Sequence, residues 1–155
     1  MNINSQKGLI TEIKCQYDFS KYGIILSQPI TPDSRYDFIA NINNKLYRIQ
    51  CKSCAISEDL TFLKMKCTMN NIRNNSYTSY TSDDIDYFYT CYENKSYLIP
   101  PNIGGQKEKI LRFSAKQNHN TIIWAKDYEF EKILKSLGYD LTENFWEQTI
   151  TKGKA

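Results

Sequence analysis

Two strand-like segments separated by only two residues constrain the fold of this chain most strongly. Residues 36–42 and 45–52 both carry aromatic and β-branched side chains, and Asn43 and Asn44 alone lie between them. Asn tolerates the positive φ angles that a tight two-residue hairpin turn requires. The pattern therefore predicts an antiparallel hairpin whose register is set by the turn.

This register brings three polar side chains to one place. With Ile42 opposite Lys45, counting outward from the turn places Asp37 opposite Gln50 on the same face of the sheet. Because side chains alternate along a strand, Gln50 and Lys52 also share a face, and Ile49 and Cys51 point to the other, apolar side. We therefore expect an acid, an amide oxygen and an amine to converge.

The remaining pattern predicts an α/β fold in one domain spanning residues 1–155, a length that suits a single domain. We expect an N-terminal helix and a C-terminal helix packed on a mixed central β-sheet. The polar stretch 70–82 is predicted to be a mobile loop or a short helix. The other predicted elements are a helix over 9–22 ended by Gly23, strands over 24–28, 61–67, 86–92, 96–99, 110–113 and 121–124, and a closing helix capped by Asp127 and ended by Gly138.

Composition narrows the class of protein. A net charge of +3 permits a nucleic-acid partner without demanding one, and a single His disfavours His-rich metal sites and paired-His catalysis. A membrane-spanning helix needs about 18 apolar residues in a row, and no apolar run in this sequence approaches that length, so we expect no membrane partner. The N-terminus lacks a secretory signal, so we expect a cytoplasmic protein with free thiols.

The converging polar residues suit metal-assisted hydrolysis of a phosphodiester. Mg²⁺ takes oxygen ligands and keeps several waters, so one carboxylate, a carbonyl oxygen and a substrate phosphate suffice to hold it. Asp37 would be the central ligand, and Gln50 would offer its side-chain oxygen without adding charge. Lys52 would orient or deprotonate a water and stabilise developing negative charge.

Glu12 is a fourth candidate, carried by the first helix. On a helical wheel it falls between Leu9 and Phe19, on the side that also includes Ile13 and Gln16 and that we expect to be buried. A carboxylate there is unusual unless it turns inward for a reason, and it could reach the metal directly or through water. The alternative is an ordinary exposed helix residue.

The order of these residues resembles the PD-(D/E)xK nuclease superfamily. An early helix with Glu, then an Asp, then Gln-x-Lys at the end of a hairpin strand is most similar to homing endonucleases of group I introns, in which Gln replaces the usual Asp or Glu. Weaker similarity follows at 84–88, 97–100 and 111–112. The segments that carry the resemblance are Lys7-Gly8-Leu9-Ile10-Thr11-Glu12, Arg35-Tyr36-Asp37-Phe38 and Arg48-Ile49-Gln50-Cys51-Lys52.

The resemblance implies a restriction-endonuclease-like core and a metal-dependent endonuclease acting on double-stranded DNA, with Mg²⁺ as cofactor and Mn²⁺ able to replace it. It implies that Asp37 and Glu12 are the acids, Gln50 the variable third ligand and Lys52 the catalytic amine. One site per chain and two strands to cut imply a homodimer or homotetramer. The alternatives are a Holliday junction resolvase, a restriction-type nuclease, or a catalytically inactive DNA-binding module in which Gln50 marks the loss of activity.

One departure from the motif leaves the identity of the acid open. Tyr36 precedes Asp37 where the superfamily name has Pro, and the Pro-Asp pair of this chain is Pro32-Asp33. Asp33 is thus an alternative ligand, although turn chemistry explains it without function. We prefer Asp37 because it begins the strand that pairs with the Gln50 strand, although it could instead cap that strand or pair with Arg35.

A C-x-x-C formed by Cys51 and Cys54 suggests a competing zinc site, completed by Cys67 and Cys91, in a zinc-stabilised partner-binding protein. No second C-x-x-C is present, and Cys51 is predicted to face the apolar side of its strand. We therefore expect buried free thiols.

Basic and amide side chains form the predicted DNA-binding surface, because Lys and Arg neutralise phosphates and Asn and Gln read base edges. A solvated surface is the alternative. The candidates are Lys64, Lys66, Arg73, Lys107, Lys109, Arg112, Lys116, Gln117 and Asn118.

Overall fold

Two β-sheets, a two-stranded ribbon and two α-helices make up the described part of the chain, residues 1–71, 74–114 and 121–142 of this computed structural model. None of the helices in these ranges is long and apolar enough to cross a membrane. The elements are α1 (Ile3–Lys21), β1 (Ile25–Ser27), β2 (Phe38–Ile42), β3 (Lys45–Cys51), β4 (Cys54–Ile56), β5 (Phe62–Lys66), β6 (Thr68–Asn71), β7 (Ser76–Ser79), β8 (Tyr87–Tyr92), β9 (Lys95–Ile99), β10 (Glu108–Arg112), β11 (Ile123–Trp124), a 3₁₀ turn (Ala125–Asp127) and α2 (Phe130–Ser136).

The first sheet has the strand order β1-β2-β3-β8-β9, with β3 and β8 parallel and the other neighbours antiparallel. Its β2–β3 hairpin turns at Asn43 and Asn44, whose φ angles of 52° and 62° are those of a tight two-residue turn. Ile42 pairs with Lys45, as the sequence predicts. The turn chemistry therefore does fix the register of the strands that carry the candidate site.

The second sheet, in the order β11-β10-β5-β4, packs against the first. One apolar core lies between the first sheet and the helices and includes Phe19, Ile49 and Phe130. A second core lies between the two sheets and includes Met65 and Phe88. The chain is thus an α/β fold as predicted, with two sheets where the sequence suggested one.

Helix α1 is longer than predicted and buries a different face. It begins at Ile3 because the side chain of Asn2 accepts a hydrogen bond from the Ser5 N–H, and it ends before Gly23, whose φ is 72°. The buried residues are Thr11, Cys15, Asp18 and Phe19. Of the predicted face, Phe19 is buried and Glu12 half-buried as expected, but the prediction is wrong for Leu9, Ile13 and Gln16, which are exposed.

A buried polar contact explains why α1 buries a different face from the one predicted. Asp18 accepts a hydrogen bond of 2.6 Å from the Tyr89 hydroxyl, and it is also bonded to Ser96 and Lys14. These bonds satisfy a buried carboxylate and hold the helix on β8 and β9. A hydrophobicity pattern alone does not reveal such a buried polar anchor.

Two further predictions about local structure are wrong, and one strand was not predicted. The polar stretch 70–82 is neither a loop nor a helix but mostly the β6–β7 ribbon, whose turn includes Asn75 at a φ of 49°. Strand β4, which begins at the second Cys of the C-x-x-C, was not predicted. Asp127 does not cap α2, because it lies in the 3₁₀ turn and pairs with Lys132 at 2.8 Å.

Only some of the basic residues near β10 are exposed at the surface. Lys109 is fully buried, and its ammonium donates to the carbonyl oxygens of Pro101 at 2.9 Å, Gly105 at 3.3 Å and Ile103. It also lies 5.6 Å from the centre of the Phe88 ring. Lys109 therefore holds the loop before β10 in place, and its prediction as a DNA contact is wrong.

We predict that Lys109→Met lowers the free energy of unfolding by about 1–3 kcal/mol, because buried carbonyl oxygens lose their donor. Urea denaturation measures the change. Lys107→Met is the control, since Lys107 is exposed two residues away and should change stability by less than about 0.5 kcal/mol. Equal effects of the two substitutions would contradict this role of Lys109.

Candidate active site

Asp37 is held by two hydrogen bonds from the neighbouring strand. Its Oδ2 atom accepts from Gln50 Nε2 at 2.8 Å and from the Cys51 N–H at 2.7 Å. Its own N–H donates to the Ile49 carbonyl at 2.9 Å, which continues the β2–β3 ladder past the end of β2. The predicted juxtaposition of Asp37 and Gln50 is therefore confirmed as geometry.

Lys52 lies beside this pair, at the end of β3. Its Nζ donates to the carbonyl oxygen of Thr68 at 3.2 Å and sits 5.0 Å from the centre of the Tyr80 ring. Burial lowers the pKa of Lys52, although the charge of Asp37 opposes that effect. The amine is thus partly desolvated and close enough to the acid to interact with it electrostatically.

Glu12 reaches the same region from α1. It is half-buried at the edge of the helix's buried face, and it lines a cavity of about 250 Å³ together with Asp37. Burial raises the pKa of Glu12, and the charge of Asp37 raises it further. Burial also holds the pKa of Asp37 above its usual value, even though the Cys51 N–H, Lys52 and Gln50 each lower it. The two carboxyl groups therefore share a site in which burial outweighs the groups that stabilise their charged forms.

A larger cleft of about 670 Å³ opens over Asp37 and Gln50. The loop before β2 forms one side, and the β6–β7 ribbon forms the other. The cleft is lined by Pro32, Asp33, Ser34, Arg35, Asp37, Gln50, Met69, Asn70, Asn71, Thr78 and Tyr80.

The donor set suits a hard divalent cation. Two partly buried carboxylates, Glu12 and Asp37, provide negative charge, and Nε2 of Gln50 is committed to Asp37 and the Cys51 carbonyl, which leaves Oε1 to coordinate. Mg²⁺ usually needs one or two carboxylates and takes its other ligands from water and phosphate. Within the described ranges, no cluster of three or more His, Cys, Asp or Glu residues forms a fuller protein cage.

The alternative assignments of the acid fit this geometry less well. Asp33 lines the cleft but is exposed, whereas Asp37 is half-buried and bonded to the Gln50 strand. Arg35 pairs with Asp84 at 2.8 Å, so Asp37 is not simply its partner.

The cysteines do not gather into a zinc site. Cys51 and Cys91 pack in or against the first core, and Cys54 and Cys67 in or against the second. Burial raises the pKa of the Cys54, Cys67 and Cys91 thiols, that of Cys67 to about 11, which favours the neutral thiol over the thiolate that zinc requires. All five cysteines are free, as predicted.

The predicted DNA-binding residues are dispersed. Lys64 and Lys66 are exposed on one face of β5, where Lys64 pairs with Glu108 at 3.2 Å. Lys107 is exposed, and Arg112 is half-buried with its guanidinium 5.2 Å from the Phe62 ring centre. None of these residues lines the cleft over Asp37. Arg73, Lys116, Gln117 and Asn118 lie outside the described residues.

The residues on the β6–β7 side of the cleft were not predicted from the sequence. Tyr80, which contacts Lys52, and the ribbon residues Met69, Asn71 and Thr78 were not candidates. Two signals were available: the Asn74-Asn75 pair repeats the turn chemistry of the first hairpin, and residues 60–82 contain no Asp or Glu.

A half-buried acid before one hairpin strand and Gln-x-Lys at the end of the next define a PD-(D/E)XK type of site on an α/β fold. The family model for PD-(D/E)XK endonuclease matches residues 3–131. The chain therefore belongs to the PD-(D/E)XK endonuclease family.

The fold is shared with a solved structure. The structure of a bacterial homing endonuclease, I-Ssp6803I, is 21% identical, has a TM-score of 0.67, and the match covers 88% of this chain and 97% of that chain. The fold is thus restriction-endonuclease-like, as predicted. The structure of MepB matches at 15% identity over 71% of this chain and 85% of that chain, with a TM-score of 0.36 that is too low to indicate a shared fold. No curated protein matches the sequence.

We predict that Asp37→Asn raises the melting temperature at pH 7.5 in EDTA. A carboxyl group whose pKa is raised on folding favours the native state when protonated and loses that contribution as pH rises through its folded pKa. A neutral amide avoids this loss and still accepts hydrogen bonds from Gln50 and Cys51.

Scanning calorimetry between pH 4 and 7.5 measures the effect, which should shrink toward pH 4. Asp127→Asn is the control of opposite sign, because the exposed ion pair with Lys132 lowers the pKa of Asp127. A melting temperature for Asp37→Asn below that of the wild type at pH 7.5 would contradict the electrostatic account.

Proposed function

We propose that this protein is a metal-dependent DNA endonuclease of the homing type. The observation that carries the proposal is that Gln50, Lys52 and Glu12 all lie close to Asp37, which lines an open cleft, in a chain of the PD-(D/E)XK endonuclease family. The homing role is favoured by the likeness to a bacterial homing endonuclease along nearly the whole of that chain. The proposed substrate is double-stranded DNA.

Asp37, Glu12 and Oε1 of Gln50 would hold the cation, with Mg²⁺ as the ordinary ion and Mn²⁺ able to replace it. When bound, the ion polarises a phosphoryl oxygen and lowers the pKa of a coordinated water. Burial of the two neighbouring carboxyl groups, which raises the pKa of each, supports this assignment, because a bound cation would stabilise their charged forms.

Lys52 would orient the attacking water and stabilise negative charge on the phosphate. Its hydrogen bond to the Thr68 carbonyl and its contact with Tyr80 fix the amine beside Asp37. A fixed donor near the scissile phosphate orients the attacking water and stabilises the negative charge that develops on the phosphate. Because burial lowers its pKa, Lys52 releases its proton more readily than an exposed Lys, and the neutral amine can then act as a base.

We predict that Asp37→Ala and Lys52→Ala each lower the rate of DNA cleavage by about 10²-fold or more. The assay is nicking and linearisation of supercoiled plasmid or of DNA carrying the natural target, in Mg²⁺, Mn²⁺ or EDTA. Lys132→Ala is the matched control, because Lys132 lies on α2 and pairs with Asp127 at the surface. Cleavage that persists in both active-site variants, or in EDTA, would refute the proposed site.

A catalytically inactive DNA-binding module is the second candidate. It is favoured by Gln50, a neutral residue whose amide hydrogen-bonds the acid. DNA binding with no cleavage in any metal would support this candidate. Comparing four-way junctions with linear duplexes in the same assay separates a Holliday junction resolvase from a homing or restriction-type nuclease.

An apolar face of α1 supports assembly with a second copy of the chain. Ile3, Ile10, Ile13 and Tyr17 are all more than half exposed, opposite the buried face of the helix. Their spacing of seven, three and four residues is that of a helix-pairing seam, and none of the four is charged. Such a neutral stripe is complementary to itself about a two-fold axis, and a two-fold assembly brings two sites to two DNA strands.

We predict that the double substitution Ile10→Glu/Ile13→Glu dissociates a homodimer or homotetramer, because it places buried like charges in the seam. Sedimentation velocity measures the mass, and circular dichroism checks the fold. Leu60→Glu, which alters an exposed Leu in a turn, should leave the mass unchanged. A monomeric wild type, or a double variant of unchanged mass, would contradict the assignment of this face.

A further inference from the structure

The β6–β7 ribbon is an arm with a fixed base. Cys67 before β6 and Tyr80 after β7 are both buried in the core between the sheets, where Tyr80 packs edge-on against Phe88 at 5.4 Å. The Cys67 N–H donates to the Lys107 carbonyl at 2.7 Å. Between these anchors the two strands pair only with each other and belong to neither large sheet. The ribbon therefore extends from a rigid attachment.

This arm is tied directly to the candidate active site. The hydrogen bond of Lys52 to Thr68 joins the proposed catalytic amine to the first residue of β6, and Tyr80 contacts the same amine. The cleft over Asp37 extends from the acid along the ribbon. A duplex whose scissile phosphate lies at Asp37 would consequently run against the ribbon.

The side of the ribbon that faces the cleft carries no charge. Met69 pairs with Thr78, and Asn71 pairs with Ser76, so these four side chains share one face. Three of them, Met69, Asn71 and Thr78, line the cleft, and Asn70, which pairs with Tyr77 on the opposite face, also lines it. Tyr77 is exposed on the opposite face and does not line the cleft.

The composition of the arm suits close approach to a polyanion. The chain carries 17 acidic residues, yet none falls within residues 60–82. Asn can pair with both N6 and N7 of adenine, Thr can donate to or accept from a base edge, and an apolar group can contact a thymine methyl. The cleft face thus offers base-reading groups in place of phosphate-neutralising charges.

The size of the arm selects the major groove. Two strands about 4.8 Å apart, with their side chains, fit a groove about 12 Å wide but not the minor groove of about 6 Å. Four residues of strand span about 13 Å, which matches the rise of about four base pairs.

We propose that the β6–β7 ribbon is the element that reads bases of the target, with Asn71 and Thr78 making sequence-specific contacts in the major groove next to the scissile phosphate. This inference rests on the proposed function, since it takes DNA to be the substrate. It assigns specificity to a segment distinct from the residues that perform the chemistry.

Selection from randomised DNA duplexes tests the assignment without requiring cleavage. Wild type, Asn71→Ala, Thr78→Ala and Tyr77→Ala are each used to select bound duplexes in Ca²⁺, and the selected DNA is sequenced. Asn71→Ala and Thr78→Ala should each reduce base preference by about 5- to 150-fold at one or two base pairs, the loss expected for a base contact. Tyr77→Ala, the matched change on the opposite face, should leave the preference profile unchanged, and thermal melting verifies that all variants fold.

The affected positions should lie within about four base pairs of the cleavage position that wild type produces in Mg²⁺. A wild type without base preference would overturn the inference. So would Asn71→Ala and Thr78→Ala profiles identical to that of the wild type, or a uniform loss of binding across all sequences. Sequence-selective binding that depends on Asn71, combined with no cleavage in any metal, would uphold the ribbon assignment and reject the nuclease activity.

Discussion

The hydrogen bonds that join Asp37 to the Gln50 side chain and the Cys51 N–H are the constraint on which the candidate site depends. They exist because Asn43 and Asn44 turn the β2–β3 hairpin in two residues and so fix its register. A slip of one residue would move Asp37 to the opposite face, toward the core that contacts the helices. The positions of the site residues are thus set by a turn that lies several residues away from them in the sequence.

Burial shifts the pKa values of the polar groups in the site. Glu12 and Asp37 are partly withdrawn from water, so burial raises the pKa of each, and burial also lowers the pKa of Lys52. A fold gains no stability from such an arrangement at neutral pH. The arrangement is consistent with a site that is completed by a cation and an anionic substrate, and sites of that kind commonly reduce stability in the free protein.

The sequence was informative where one short-range rule decided the structure. Strand alternation and the Asn-Asn turn were sufficient to predict that Asp37 meets Gln50. The buried face of α1 was not predictable, because the helix has apolar residues on two sides and a buried Asp18 decides between them. The strands of the β6–β7 ribbon were not predicted, because polar residues lie on both faces of the ribbon. Burial of Lys109 depends on carbonyl groups of a loop, which a charge pattern does not reveal.

Paramagnetic broadening by Mn²⁺ in nitrogen-resolved NMR spectra tests the central claim most directly, namely that Asp37 and its neighbours form a divalent metal site. Broadening falls steeply with distance, so substoichiometric Mn²⁺ should first affect the Cys51 amide, which lies 2.7 Å from Oδ2 of Asp37. Asp37→Asn should abolish the effect, and the amide of Gly138, after α2, should remain sharp. Broadening that is strongest elsewhere, or that persists unchanged in Asp37→Asn, would contradict the account.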